Sequence, residues 1–185
     1  MKKHQKTSMF RAVLVLAISL IYVSSIAQLN KKDRRLVEDS QDAKKDFVHT
    51  DSLMKSLFAT AYGYAVFPTI GKGAFVVGGA GGDGVVFQGD SAQGKAQMSQ
   101  LSVGLQAGGQ AYREVIFFEN KETMDRFKLN KVEFSAQISA VAAKSGASAN
   151  VKYVEGIMVF TQQKGGLMFE ASVGGQKFKF TPFGQ

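Results

Sequence analysis

Cysteine and tryptophan are both absent from the 185 residues. Without cysteine there is no disulfide, no thiolate metal ligand and no thiol nucleophile, and no lipoprotein attachment through an N-terminal cysteine. Histidine is nearly absent, with only His4 and His49. A chain that loses its N-terminus cannot build a multi-histidine metal centre, and a histidine-dependent triad has one candidate. Proline is scarce, with 2 residues against 20 glycines, 15 phenylalanines and 5 tyrosines. Much glycine with many aromatics and little proline favours β structure with tight turns. Charged residues make up 21% and hydrophobic ones 45%, a globular composition, not a disordered one.

No apolar run reaches the roughly 20 residues needed to span a bilayer. The N-terminus carries a shorter one. Lys2, Lys3, Lys6 and Arg11 precede an apolar stretch, Ala12 to Tyr22, and Ser25-Ile26-Ala27 follows with small residues at positions −3 and −1. This pattern predicts a secretory signal peptide over residues 1–27 and an exported chain beginning at Gln28. The segment holds four of the 23 basic residues and none of the 15 acids, which lowers the net charge from +8 to +4. That excess is too small to point to nucleic acid, but it suits mild attraction to an anionic membrane surface.

Residues 30–48 lack glycine and are dense in charge. Leu36, Ser40, Ala43 and Phe47 fall on one helical face. Thr50 or Asp51 is expected to cap a second helix, Ser52 to Ala61, stopped by Gly63. The periodicity then changes. Strands are expected at Tyr64–Phe67, Ala74–Val77, Val85–Phe87, Leu101–Ala107, Val115–Phe118, Val132–Ala142, Val151–Thr161, Leu167–Val173 and Gln176–Phe180. Turns are expected at Pro68–Gly73 and at the glycine-rich Gly78–Gly84. Asn120 is expected to cap a helix from Lys121 to Leu129, with Met124 and Phe127 facing inward. The fold class is α+β: a single antiparallel β-rich domain with two N-terminal helices and one inserted helix, its strands joined as a meander.

Few motifs suggest chemistry. Gly79-Ala80-Gly81-Gly82-Asp83-Gly84 spells G-x-G-x-x-G, but Val85-Val86-Phe87 follows where a dinucleotide site needs a helix start. It is read as a turn whose glycines supply positive φ. Tyr112, Glu114, Glu119 and Glu122 are read as a solvated strand edge and a helix first turn, not an acid–base pair. His49 is read as the end of a helix. No serine lies in a G-x-S-x-G elbow. No catalytic residue, metal ligand or cofactor is expected. Lys31, Lys32, Arg34 and Arg35 cluster at a helix N-terminus, where cations oppose the macrodipole and so do not stabilise their own helix. Lys72 lies between Gly71 and Gly73, where an ammonium and bare backbone N–H groups could hold an anion.

Ala61-Tyr-Gly-Tyr-Ala-Val-Phe-Pro68, then Gly71-Lys-Gly73, Val77-Gly-Gly79 and Gly82-Asp-Gly-Val-Val86, resemble the core of the SYLF lipid-binding domain family. Val115-Ile-Phe-Phe118, Phe134 to Ala149, Val159-Phe-Thr161 and Lys164-Gly-Gly-Leu167 agree with its later segments. The resemblance covers roughly residues 35–181, and with the signal peptide it looks like the family's exported bacterial branch. It implies a lipid-binding domain over 28–185 that binds anionic phospholipid with phosphoinositide-like head groups and catalyses nothing. The expected partner is an anionic membrane surface at the periplasm or outside the cell, not nucleic acid. The lipid-contact residues expected are Lys31, Lys32, Arg34, Arg35, Lys44, Lys45 and Lys72. The competing expectation is an envelope protein that docks a protein partner.

Overall fold

The computed structural model describes residues 29–72, 79–101, 111–132, 134, 139–164, 173 and 175–184, and of Lys72 and Leu101 the backbone alone. The chain is an α+β protein, as its sequence indicates. The expected signal peptide, residues 1–27, lies outside the described residues, as do Ala74–Val77 and most of Leu101–Ala107 and Leu167–Val173.

Helix α1 runs Lys31–Thr50. Asn30 caps it, its side chain accepting a hydrogen bond from the Asp33 N–H at 2.9 Å. Val37, Ser40, Ala43 and Phe47 form its buried stripe, with Leu36 packed beside them. Asp51 ends α1, and its carboxylate accepts from the Leu53 N–H to turn the chain into α2, Met54–Thr60. α2 stops at Thr60, and Gly63 opens a strand instead of ending the helix.

The described strands are β1 Gly63–Lys72, β2 Gly79–Gln88, β3 Ser91–Leu101, β4 Tyr112–Phe118, β5 Ala140–Ala142, β6 Ile157–Gln163 and β7 Lys177–Pro182. They form one sheet in the order β5-β6-β4-β1-β2-β3-β7. β5 and β6 are parallel, and the other neighbours are antiparallel. Helix α3, Lys121–Lys128, follows β4 and is capped by Asn120, as expected. Helices α1 and α2 cover one face, over Tyr64, Val66, Val85, Phe87, Val115 and Phe117. α3 covers the other through Met124 and Phe127, against Phe67, Phe118 and Phe178.

Several expectations are corrected. The strands are not a simple meander: among the described strands β1, β2 and β3 follow one another in space as antiparallel neighbours, while β5 and β6 are adjacent but parallel. β4 returns to the free edge of β1, and the chain end returns to β3. Burial explains the central place of β1. Tyr64, Ala65, Val66 and Phe67 are all at most 1% exposed, and a strand apolar on both faces needs neighbours on both edges. Pro68 does not end β1. The pairing shifts register between Val66 and Gly71 toward β2, and between Phe67 and Ile70 toward β4. Proline, with no N–H to donate, sits inside that irregularity.

The glycine series is not a turn either, since Gly79–Gln88 is strand throughout. Neither Gly82 nor Gly84 has positive φ. A Cβ on Gly82 would lie 2.4 Å from the Thr69 carbonyl oxygen, and one on Gly84 2.5 Å from that of Val66. These glycines let β1 and β2 approach closely. β3 escaped the sequence reading because its inward residues, Gly94, Ala96 and Met98, include only one large apolar side chain. Within 132–142 the described residues form strand at Ala140–Ala142, with Val132 and Phe134 buried, and 133 and 135–138 lie outside the described residues. β6 starts at Ile157, not Val151, because Glu155 and Gly156 turn the chain at positive φ.

Candidate functional site

The helical layer carries most of the cations expected to matter. Lys31, Lys32, Arg34 and Arg35 are all exposed on the first turns of α1. No salt bridge among the described residues engages any of the four. Helical spacing continues one flank of α1 from Arg34 through Gln41 and Lys45 to Val48.

That flank ends in a cleft of about 580 Å³ lined by Gln41, Lys44, Lys45, Val48, His49, Lys55 and Asp90. Lys44 is its best-held member. Its Nζ donates to the Tyr64 hydroxyl at 2.8 Å and to Asp90 Oδ1 at 3.2 Å. The same ammonium lies 5.2 Å from the centroid of the Phe58 ring and 5.0 Å from that of Tyr64. Burial pulls the Lys44 pKa down, but the Tyr64 and Asp90 contacts outweigh it and leave it raised. Lys44 therefore stays charged. Tyr64 in turn donates to the Gly89 carbonyl at 2.8 Å, which fixes the β2–β3 turn that presents Asp90. Lys45 bonds Asp42 one turn back at 2.7 Å, with both side chains largely exposed.

The sequence brings together Lys44 and Lys45 as expected, and the structure adds His49 and Lys55 to them. The basic start of α1 lies further along the same helix. Lys72 does not join the group as a turn residue. It is the last residue of β1, paired with Ala80 of β2 beside the Gly71–Gly81 pair, and Gly73 lies outside the described residues.

The same face of the sheet holds lysines that sequence reasoning did not nominate. Lys95 on β3 and Lys177 and Lys179 on β7 point to the α1 side, beyond the end of the apolar patch. Lys95 pairs with Asp83 at 3.0 Å. Lys95, Lys179, Gln97 and Thr181 line a second depression of about 350 Å³ with Asp33 of α1. The signal was the alternation Lys95-x-Gln97-x-Ser99 opposite Lys177-x-Lys179-x-Thr181, visible only once the register is known.

Glu114 also departs from expectation. It is not at a solvated edge but wholly buried, on the α3 side of β4 with Ile116 and Phe118. Gln176 Nε2 donates to its Oε2 at 2.9 Å, and its Oε1 has no partner. Burial pushes its pKa up to about 8, against a smaller lowering by Gln176. Burial first, and then Glu114, also push Tyr112 up. Glu119 and Glu122 are exposed, and His49 is exposed in the last turn of α1, as expected. Among the described residues no three His, Asp or Glu side chains gather as metal ligands, and no helix is long and apolar enough to cross a membrane.

Fold and surface together define an α+β protein with a cation-bearing helical layer over a mostly antiparallel sheet. Residues 99–181 match the family Ysc84, described as Las17-binding protein actin regulator. Over residues 99–181 the SYLF resemblance read from the residues is thereby borne out. The chain is also similar to "Beta cell expansion factor A" of Aeromonas veronii, 32% identical over 126 residues, covering 67% of this chain and 48% of that protein. The chain thus spans about half the length of the curated relative it matches.

Proposed function

We propose that the protein is exported and acts at the cell envelope as a peripheral, non-catalytic protein that binds anionic phospholipid. The observation that carries this reading is the start of α1. Four cations, Lys31, Lys32, Arg34 and Arg35, stand exposed with no salt bridge among the described residues, at a helix end that disfavours them. Charge placed against the stability of its own helix suits an external anion. The cationic cleft and the lysines of β3 and β7 add to the same side of the molecule. The family match supports the reading, and the basic, apolar and small-residue order of residues 1–27 supports export.

Sedimentation with vesicles tests it. Binding to vesicles carrying phosphatidylglycerol or phosphoinositide should exceed binding to phosphatidylcholine alone and should weaken as salt rises. Equal binding to both, or binding indifferent to salt, would favour docking of a protein partner instead. Intact mass of the protein from the envelope should show residues 1–27 removed.

A further inference from the structure

The cleft between α1 and α2 has a feature that general attraction to a membrane does not require. Among the described residues the only acid lining it is Asp90, against three lysines and a histidine. The Asp90 side chain is 99% exposed, yet its carboxylate is placed on the Lys44 ammonium. Lys44 keeps its other contacts without it, through the Tyr64 hydroxyl and the two aromatic rings. An exposed carboxylate on a turn is free to swing away at small cost, whereas the ammonium beneath is pinned.

We infer that this cleft is a discrete site for a phosphate ester, and that Asp90 occupies the anion position until the phosphate displaces it. The inference rests on the lipid reading above and narrows it to one place. The incoming phosphate takes the Lys44 donor that Asp90 releases, while Lys45, Lys55 and His49 surround it and Val48 supplies an apolar wall. Asp90 is thus an internal competitor, and its removal should strengthen binding, not weaken it. The chemistry recognised is the phosphate group, whether on a lipid head group or on a soluble ester.

Full-length protein should be titrated with phosphatidylglycerol vesicles in low salt, with binding to phosphatidylcholine vesicles subtracted, and separately with soluble glycerol 1-phosphate. Asp90→Asn should bind the anionic vesicles about threefold more tightly than wild type. Lys55→Gln should bind about fivefold more weakly, as expected for roughly one surface cation. Asp125→Asn, the same change of charge on α3 at the opposite face, should bind like wild type. Glycerol 1-phosphate should shift the His49 ring and Lys44 side-chain NMR signals, more strongly in Asp90→Asn. If wild type binds the vesicles but Asp90→Asn and Asp125→Asn behave alike, the cleft is not the site while the lipid reading stands. If no anionic vesicle is bound but glycerol 1-phosphate still shifts His49 and Lys44, the site is upheld for soluble esters and the lipid reading fails. Absence of both responses overturns both.

Discussion

Adding one methyl group at Gly84 should separate two accounts of the glycine series. An alanine Cβ there would lie 2.5 Å from the Val66 carbonyl oxygen and 2.6 Å from Cδ1 of Phe67. Comfortable contacts between carbon atoms begin near 3.5 Å, so about 1 Å must be found. The closest obstacle is backbone, and the ring behind it is fully buried, so neither can simply rotate away. Parting β1 from β2 would strain the centre of the sheet. Overpacking of this kind costs about 1–3 kcal/mol, sometimes more. For a chain of this size each kcal/mol lowers the melting temperature by about 2–4 °C. Gly84→Ala should therefore melt roughly 5–12 °C below wild type, on the upper part of that range of cost. Gly71→Ala is the control. A Cβ there meets nothing within 4 Å among the described residues and φ is not positive, so stability should be unchanged or rise by about 0.4–1 kcal/mol. Thermal melts followed by circular dichroism read both. If the two variants melt together, close strand approach is not what these glycines serve.

Three further outcomes are expected. Unfolded glutamate loses its proton near pH 4.5, while buried Glu114 keeps its proton to about 8. The folded state then binds the extra proton, so the stability due to Glu114 should be lost as pH rises through this window. Glu114→Gln should flatten that fall in melting temperature, and an unchanged slope would refute the burial. Asp51 accepts from the Ser148 N–H at 2.8 Å and hydroxyl at 2.7 Å while only 2% exposed, so Asp51→Ala should cost about 2–4 kcal/mol in chemical denaturation. Asn120→Ala removes the cap of α3 and should cost about 1 kcal/mol by the same assay.

Much of the helical layer was legible in the sequence because helical periodicity and capping act locally. Asn120 and its helix followed from an acceptor side chain ahead of Met124 and Phe127. The α1 stripe differed only in that Val37, not Leu36, lies at its centre. The sheet was less legible where its residues serve contacts distant in sequence. Gly82 and Gly84 look like turn glycines until Thr69 and Val66 are seen against them. Pro68 looks like a strand end until the register shift around it is known. Glu114 looks solvated as part of an acidic run, although its alternation with Ile116 and Phe118 already placed it on an apolar face. In the candidate site, Lys44 and Lys45 could be nominated from charge alone. Lys55 and Asp90 could not, because α2 and the β2–β3 turn meet α1 only in the folded chain.

The most direct test of the account is to reverse the charge at the start of α1. Lys31→Glu, Lys32→Glu, Arg34→Glu and Arg35→Glu combined should leave the fold intact, since all four side chains are exposed. Each cation near an anionic surface contributes about 1 kcal/mol, so affinity for phosphatidylglycerol vesicles should fall by more than about a hundredfold in low salt. A quadruple variant that melts like wild type and binds those vesicles with wild-type affinity would contradict the claim that this cationic face meets the membrane.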